Sequence, residues 1–115
     1  MVLTFYDDRG VTVIALNGGL DETRGVELGQ LFDRLMAEGR RQFVLDLKAV
    51  DSTDSAGLAM LVRCFKRVRS GVGNLALIAL QPSIRRIFEM TRLDRSFDIY
   101  TDVTEAVQRL VGSQR

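Results

Sequence analysis

The fold of this chain is decided by the segment VDSTDSAGL, residues 50–58, where a buried strand is followed by a polar loop and an amphipathic helix. Residues 42–47 before it form a short apolar run of the kind that lies inside a sheet. After the loop, apolar side chains recur at helical spacing, at Leu58, Leu61, Val62 and Phe65. Ser55 is therefore predicted at a helix N-terminus, with its hydroxyl capping a free backbone N–H.

The predicted position of Ser55 also favours a negative charge. Unpaired N–H groups and the helix dipole point toward a helix N-terminus and stabilise an anion there. A phosphate on this serine would leave its surroundings folded, so the segment predicts a phosphorylation switch. The competing interpretation is a plain helix cap. For Asp54 the alternatives are a second cap or an acidic landmark for a kinase.

Composition suits one domain spanning residues 1–115, of which 46% are hydrophobic. No apolar run approaches the roughly 20 residues needed to span a bilayer. Residues 1–8 lack the basic start and apolar centre of a signal peptide. Cys64 is the only cysteine, so it has no partner for an internal disulfide. We therefore expect a cytoplasmic protein without membrane insertion.

Several kinds of catalytic chemistry have no candidates in this sequence. Histidine is absent, which removes the commonest general base and the commonest zinc ligand. Lysine occurs only at Lys48 and Lys66, and no glycine-rich phosphate loop is present. These absences exclude most familiar routes to catalysis, though not catalysis as such; we expect no cofactor, no metal and no enzymatic activity.

Charge is distributed unevenly along the chain. Residues 1–60 carry 6 basic and 10 acidic side chains, a net −4, whereas residues 61–115 carry 10 basic and 5 acidic ones, a net +5. Such a bipolar domain fits a protein partner better than nucleic acid, which calls for a stronger positive balance. The alternative is that the charges only solvate helix faces.

Strand and helix patterns alternate along the chain. Strands are predicted at residues 3–7, 11–17, 42–47, 75–80 and 97–100. Helices are predicted from a cap at Asp21 or Thr23 to about residue 38, over 55–70, from one or two residues before Pro82 to about residue 91, and after a cap at Thr101-Asp102. The order β-β-α-β-α-β-α-β-α predicts a mixed α/β fold, with a mostly parallel sheet of about five strands and about four helices.

This order brings two loops together. A crossover helix joins the second and third strands, so these run parallel and their C-terminal ends lie at one edge. Residues 18–21 and 54–55 both follow those ends. This edge is where open α/β sheets usually hold functional sites.

Three segments resemble the STAS domain family, and within it the small bacterial anti-sigma factor antagonists. Asn17-Gly18-Gly19-Leu20-Asp21 is similar to the family's Gly-x-Leu/Ile-Asp. Asp54-Ser55-Ala56-Gly57-Leu58 is similar to its Asp-Ser-Ser/Ala-Gly phosphorylation motif. Residues 84–106, with Thr91-Arg92-Leu93-Asp94, are similar to its helix, turn, short strand and final helix.

The resemblance implies a partner switch. In this family the unphosphorylated antagonist sequesters an anti-sigma factor, usually a serine kinase, and so frees a sigma factor. The kinase phosphorylates the motif serine and a PP2C-type phosphatase resets it. By position Ser55 is the phosphoacceptor, while Ser52 and Thr53 add two further candidate hydroxyls.

Partner contacts are also expected around Ser55. They involve Asp21, Asp54, Ser55, Ala56 and Gly57, where the bare backbone of Gly57 would let a partner approach closely.

Two alternatives to the switch remain. One is a STAS subunit of a stress-sensing scaffold or a lipid-transport complex that is never phosphorylated. The other is a two-component receiver domain, with Asp7-Asp8 as a metal-binding pair and Asp46 or Asp54 as phosphoacceptor. The receiver lacks support because no lysine follows Lys66 and because residues 9–13 turn directly into another strand.

Overall fold

The computed structural model describes residues 3–112, which form five strands and four α-helices in the predicted order. The strands are β1 (Thr4–Asp8), β2 (Val11–Asn17), β3 (Gln42–Ala49), β4 (Asn74–Ile78) and β5 (Asp98–Tyr100). The helices are α1 (Glu22–Ala37), α2 (Ser55–Ser70), α3 (Pro82–Met90) and α4 (Val103–Gly112), and a 3-10 turn covers Leu93–Arg95. The strands lie in the order β1-β2-β3-β4-β5. Only the β1–β2 pair is antiparallel, as the sequence predicts for its hairpin.

The sheet is covered by helices on both faces. Phe43, Leu45 and Leu47 of β3 pack in one core with buried side chains of α1, α2 and α3. Val44 points to the other face, where it packs with Ala106, Val107 and Leu110 of α4. This alternation is the two-residue period of a strand that is buried on both sides. Burial on both sides explains why residues 43–45 read as a continuous apolar run.

Strand β4 ends two residues earlier than predicted. Ala79 has a backbone φ of 59°, a left-handed conformation that interrupts an extended strand. The Ala79 N–H donates instead to the carbonyl oxygen of Tyr100, 3.1 Å away. The apolar pattern of residues 75–80 could not reveal this change of backbone direction.

The β1–β2 hairpin rules out the receiver alternative. Asp7 and Asp8 end β1 beside the N-terminal end of β2, with Asp8 opposite Val11. They therefore lie at the sheet edge opposite the one that holds Asp54. Asp7 is paired with Arg40, whose guanidinium also donates to the buried Thr12 hydroxyl at 3.0 Å.

Arg40 lies at the centre of a charged cluster at this opposite edge of the sheet. Its side chain forms ion pairs with both Asp7 and Glu38. Burial opposes the charged form of Arg40, but hydrogen bonds to Glu38 and Asp7 outweigh it and raise the pKa of the guanidinium. The cluster ties the β1–β2 turn to the start of β3.

None of the helices within residues 3–112 is both long enough and apolar enough to cross a bilayer.

Candidate functional site

The loops after β2 and β3 are joined by backbone hydrogen bonds. The Leu20 N–H donates to the Ser52 carbonyl oxygen at 2.8 Å, and the Gly18 N–H donates to that of Ala49 at 2.9 Å. Leu20 and Thr53 form an isolated parallel bridge, which extends the β2–β3 pairing beyond the strands. The predicted meeting of the two loops at one sheet edge is confirmed.

The cap of α2 is Asp54, not Ser55. The Asp54 carboxylate accepts the Gly57 N–H at 2.8 Å from an extended backbone, which is the geometry of an N-cap. Ser55 is the first helical residue, so the predicted capping role of its hydroxyl is wrong. The second-cap interpretation of Asp54 is the one that the structure supports, and the Ser55 hydroxyl is left for other contacts.

The three hydroxyls of the loop differ in their surroundings. Ser55 is exposed, and no hydrogen bond of its hydroxyl is found among residues 3–112. Thr53 is half-buried and donates to the Leu20 carbonyl oxygen at 3.0 Å. The exposed Ser52 hydroxyl lies 3.5 Å from an Asp51 carboxylate oxygen. Of the three, only Ser55 combines exposure with a hydroxyl that makes no hydrogen bond among the described residues.

Packing within the chain requires a glycine at position 57. The residue is buried, and a Cβ atom at this position would lie 2.0 Å from the Leu20 carbonyl oxygen and 2.6 Å from the Thr53 hydroxyl. The absence of a Cβ is therefore needed for packing within the chain, and contact of the Gly57 backbone with a partner stays a prediction. The glycine lets the first turn of α2 approach the neighbouring loop closely.

Asp21 lies at the same edge and caps α1. Its carboxylate accepts the Arg24 N–H at 3.0 Å, which decides between the two predicted caps in favour of Asp21 over Thr23. The Arg24 guanidinium donates to the Gly19 carbonyl oxygen at 3.2 Å and lies 3.9 Å from the Asp21 carboxylate. Arg24 was missed by the sequence analysis; its only signal was a basic residue in the first turn of a helix.

The charges around Ser55 are mostly acidic. Four exposed carboxylates lie in the two loops and at the helix starts, those of Asp21, Glu22, Asp51 and Asp54. Arg24 is the only basic residue within these loops and first helical turns. This edge therefore presents negative charge to solvent.

The site combines an exposed hydroxyl with a carboxylate that is already hydrogen-bonded. The Asp54 carboxylate is engaged by a backbone N–H, and the chain has no histidine to serve as a base. Among residues 3–112, no three His, Cys, Asp or Glu side chains are grouped so as to hold a metal ion.

Comparison with known proteins places the chain in a family. The model of the STAS domain matches residues 3–106. The chain belongs to the STAS domain family. A TM1081 homologue from Thermotoga neapolitana is 33% identical to this STAS domain over 82 residues, which are 71% of this chain and 73% of the relative.

Two further relatives match over nearly their whole length. The anti-sigma-F factor antagonist RsfB of Mycobacterium tuberculosis is 24% identical over 114 residues, 99% of this STAS domain and 93% of RsfB. The crystal structure of TM1081 from Thermotoga maritima superposes with a TM-score of 0.89 at 26% identity, and covers 94% of this chain and 93% of that one.

Proposed function

We propose that this STAS domain is an anti-sigma factor antagonist whose partner binding is controlled by phosphorylation of Ser55. The unphosphorylated chain sequesters an anti-sigma factor that is also a serine kinase. Phosphorylation of Ser55 releases that partner, and a PP2C-type phosphatase restores the binding form. The chain is a substrate and a binding protein without catalytic activity of its own, and the proposal implies a cytoplasmic location.

One observation carries the proposal. Ser55 is exposed at the start of α2, whereas Thr53 is held by the Leu20 carbonyl oxygen. A kinase can reach the Ser55 hydroxyl without opening the joined loops. The relative RsfB, described as an anti-sigma-F factor antagonist, supports the class of partner.

Expected partner contacts remain those at the exposed edge. Asp21, Asp54 and Ser55 are exposed and Ala56 is half-buried, so all four are proposed as contacts. A phosphate adds about −1.5 to −2 charges at neutral pH. Burying that charge unpaired against a surface shaped for a hydroxyl would cost several kcal/mol, which is enough to separate the partners.

The test is phosphorylation in vitro with the anti-sigma kinase of the same organism. Label is expected on Ser55 by mass spectrometry, and Ser55→Ala should abolish it while Ser52→Ala and Thr53→Ser retain it. Phosphate on Ser52 or Thr53 would refute the assignment. An absence of label together with stable binding would favour the scaffold-subunit alternative.

A further inference from the structure

A shallow apolar groove runs between α1 and α2, beginning beside Ser55. Its volume is about 270 Å³, and it is lined by Gly25, Val26, Ala56, Ala59 and Met60, with Glu22 and Arg63 at its rims. Val26 is one of the few large apolar side chains exposed within residues 3–112, at 48%. The groove is thus an apolar surface immediately next to the proposed phosphoacceptor.

Small residues in α1 create this surface. A Cβ atom at Gly29 would lie 2.9 Å from the Met60 sulfur, and one at Gly25 would lie 3.5 Å from the Met60 Cβ. Met60 therefore rests directly over the α1 backbone and forms part of the floor. The two helices are already in close contact through Met60. The groove above Met60 is therefore open to another molecule.

We propose that this groove receives an apolar side chain of the protein partner that binds the Ser55 edge. The inference rests on the proposed function, which it extends by naming a second contact surface. Ala56 both follows Ser55 and lines the groove, so a partner that covers Ser55 also covers the groove. At about 270 Å³ the groove is near the lower end of the roughly 300–1,000 Å³ of small-molecule sites, which suits an apolar group as small as one side chain.

The charged side chains at the rims of the groove indicate which charges the partner carries beside its apolar side chain. Arg63 is already paired with Asp33 of α1 at 3.3 Å. Glu22 has no ion pair among residues 3–112 and follows Asp21 at the start of α1. The partner is therefore expected to carry its apolar side chain next to basic residues that face Glu22.

A single fluorophore can report on the groove. Burial raises the pKa of the Cys64 thiol to about 12, so the native cysteine is unreactive at neutral pH. Ala59 is exposed, so Ala59→Cys provides a unique site for an environment-sensitive label. Adding the purified anti-sigma factor of the same organism should change its emission in a saturable manner. Met90→Cys is the control, since Met90 is 77% exposed on α3, and it should show no change.

Affinity measurements with unlabelled variants complete the test. Val26→Gln and Ala59→Gln keep the helices and add no charge, and each should weaken binding about tenfold or more. The matched control Met90→Gln should bind like the wild type. Glu22→Gln should weaken binding more at low salt than at high salt, because screening removes a surface charge effect.

The outcomes separate the two proposals. If Ser55→Asp abolishes binding but both groove variants bind like the wild type, the groove inference is wrong and the proposed function stands. If the wild-type chain does not bind the anti-sigma factor at all, the proposed function fails and the inference with it. Emission from the Ala59→Cys label that changes with chain concentration alone would assign the groove to a second copy of this chain instead.

Discussion

The Leu20 carbonyl oxygen accepts the Thr53 hydroxyl at 3.0 Å and joins two loops that lie 33 residues apart in sequence. The same oxygen also accepts the Asp54 N–H at 3.4 Å, one residue before Ser55. Gly57 packs directly against it. This carbonyl group therefore contacts the loop and helix start on both sides of Ser55.

The Thr53 hydroxyl is expected to stabilise the joined loops. Thr53→Val keeps the shape of the side chain but removes the donor, and should lower the free energy of unfolding by about 0.5–1.5 kcal/mol. Urea denaturation measures this change. Thr53→Ser keeps the hydroxyl and should lose less. Wild-type stability in Thr53→Val would show that the hydrogen bond contributes nothing.

Gly57 and Gly25 provide a matched pair of buried helical glycines. In Gly57→Ala the new Cβ would lie 2.0 Å from the Leu20 carbonyl oxygen, so we expect a loss of about 1–3 kcal/mol. In Gly25→Ala the nearest atom is at 3.5 Å, and the higher helix propensity should add about 0.5–1 kcal/mol. Thermal unfolding of both variants checks the contrast, and a similar response at the two sites would contradict it.

The capping role of Asp54 and the role of its negative charge can be tested separately. Asp54→Ala removes the acceptor for the Gly57 N–H and should cost about 0.5–2 kcal/mol, whereas Asp54→Asn keeps a capping oxygen and should cost less. Stability is measured by denaturation, and phosphorylation of Ser55 by kinase assay. Loss of phosphorylation in Asp54→Asn at nearly unchanged stability would show that the kinase recognises the Asp54 carboxylate.

Ser55→Asp is expected to affect binding and not folding. At the first residue of α2 a carboxylate gains about 0.3–1 kcal/mol from the helix dipole, and repulsion from Asp54 offsets part of it. The melting temperature should change little, while affinity for the anti-sigma factor should fall by orders of magnitude. Calorimetry and a binding titration measure the two effects. Wild-type affinity, or a loss explained by unfolding, would refute the mechanism.

Val72 is strained in a way that a substitution can relieve. It is 90% exposed in the turn before β4, with a backbone φ of 59°. A left-handed conformation costs an L-residue about 1–2 kcal/mol, so Val72→Gly should raise the stability by about that amount less the extra chain entropy of glycine. Val72→Ala keeps the Cβ and should gain much less. A decrease in melting temperature for Val72→Gly would contradict this interpretation.

The sequence determined the order of the elements and the edge at which the site lies. Strand β3 reads as a buried run and α2 as an amphipathic helix from local spacing alone. The crossover α1 then forces β2 and β3 to run parallel, which brings Asp21 and Ser55 to one edge. These inferences succeeded because periodicity is a property of neighbouring residues.

Only the tertiary structure decided which side chain caps α2 and which atoms Gly57 packs against. Asp54 and Ser55 are both good caps by residue type, and the choice follows from the backbone that the bridge to Leu20 imposes on the loop. Gly57 packs against a carbonyl group 37 positions earlier in the chain. Contacts between residues so far apart leave no periodic signal, because each depends on the packing of two loops and not on the spacing within either.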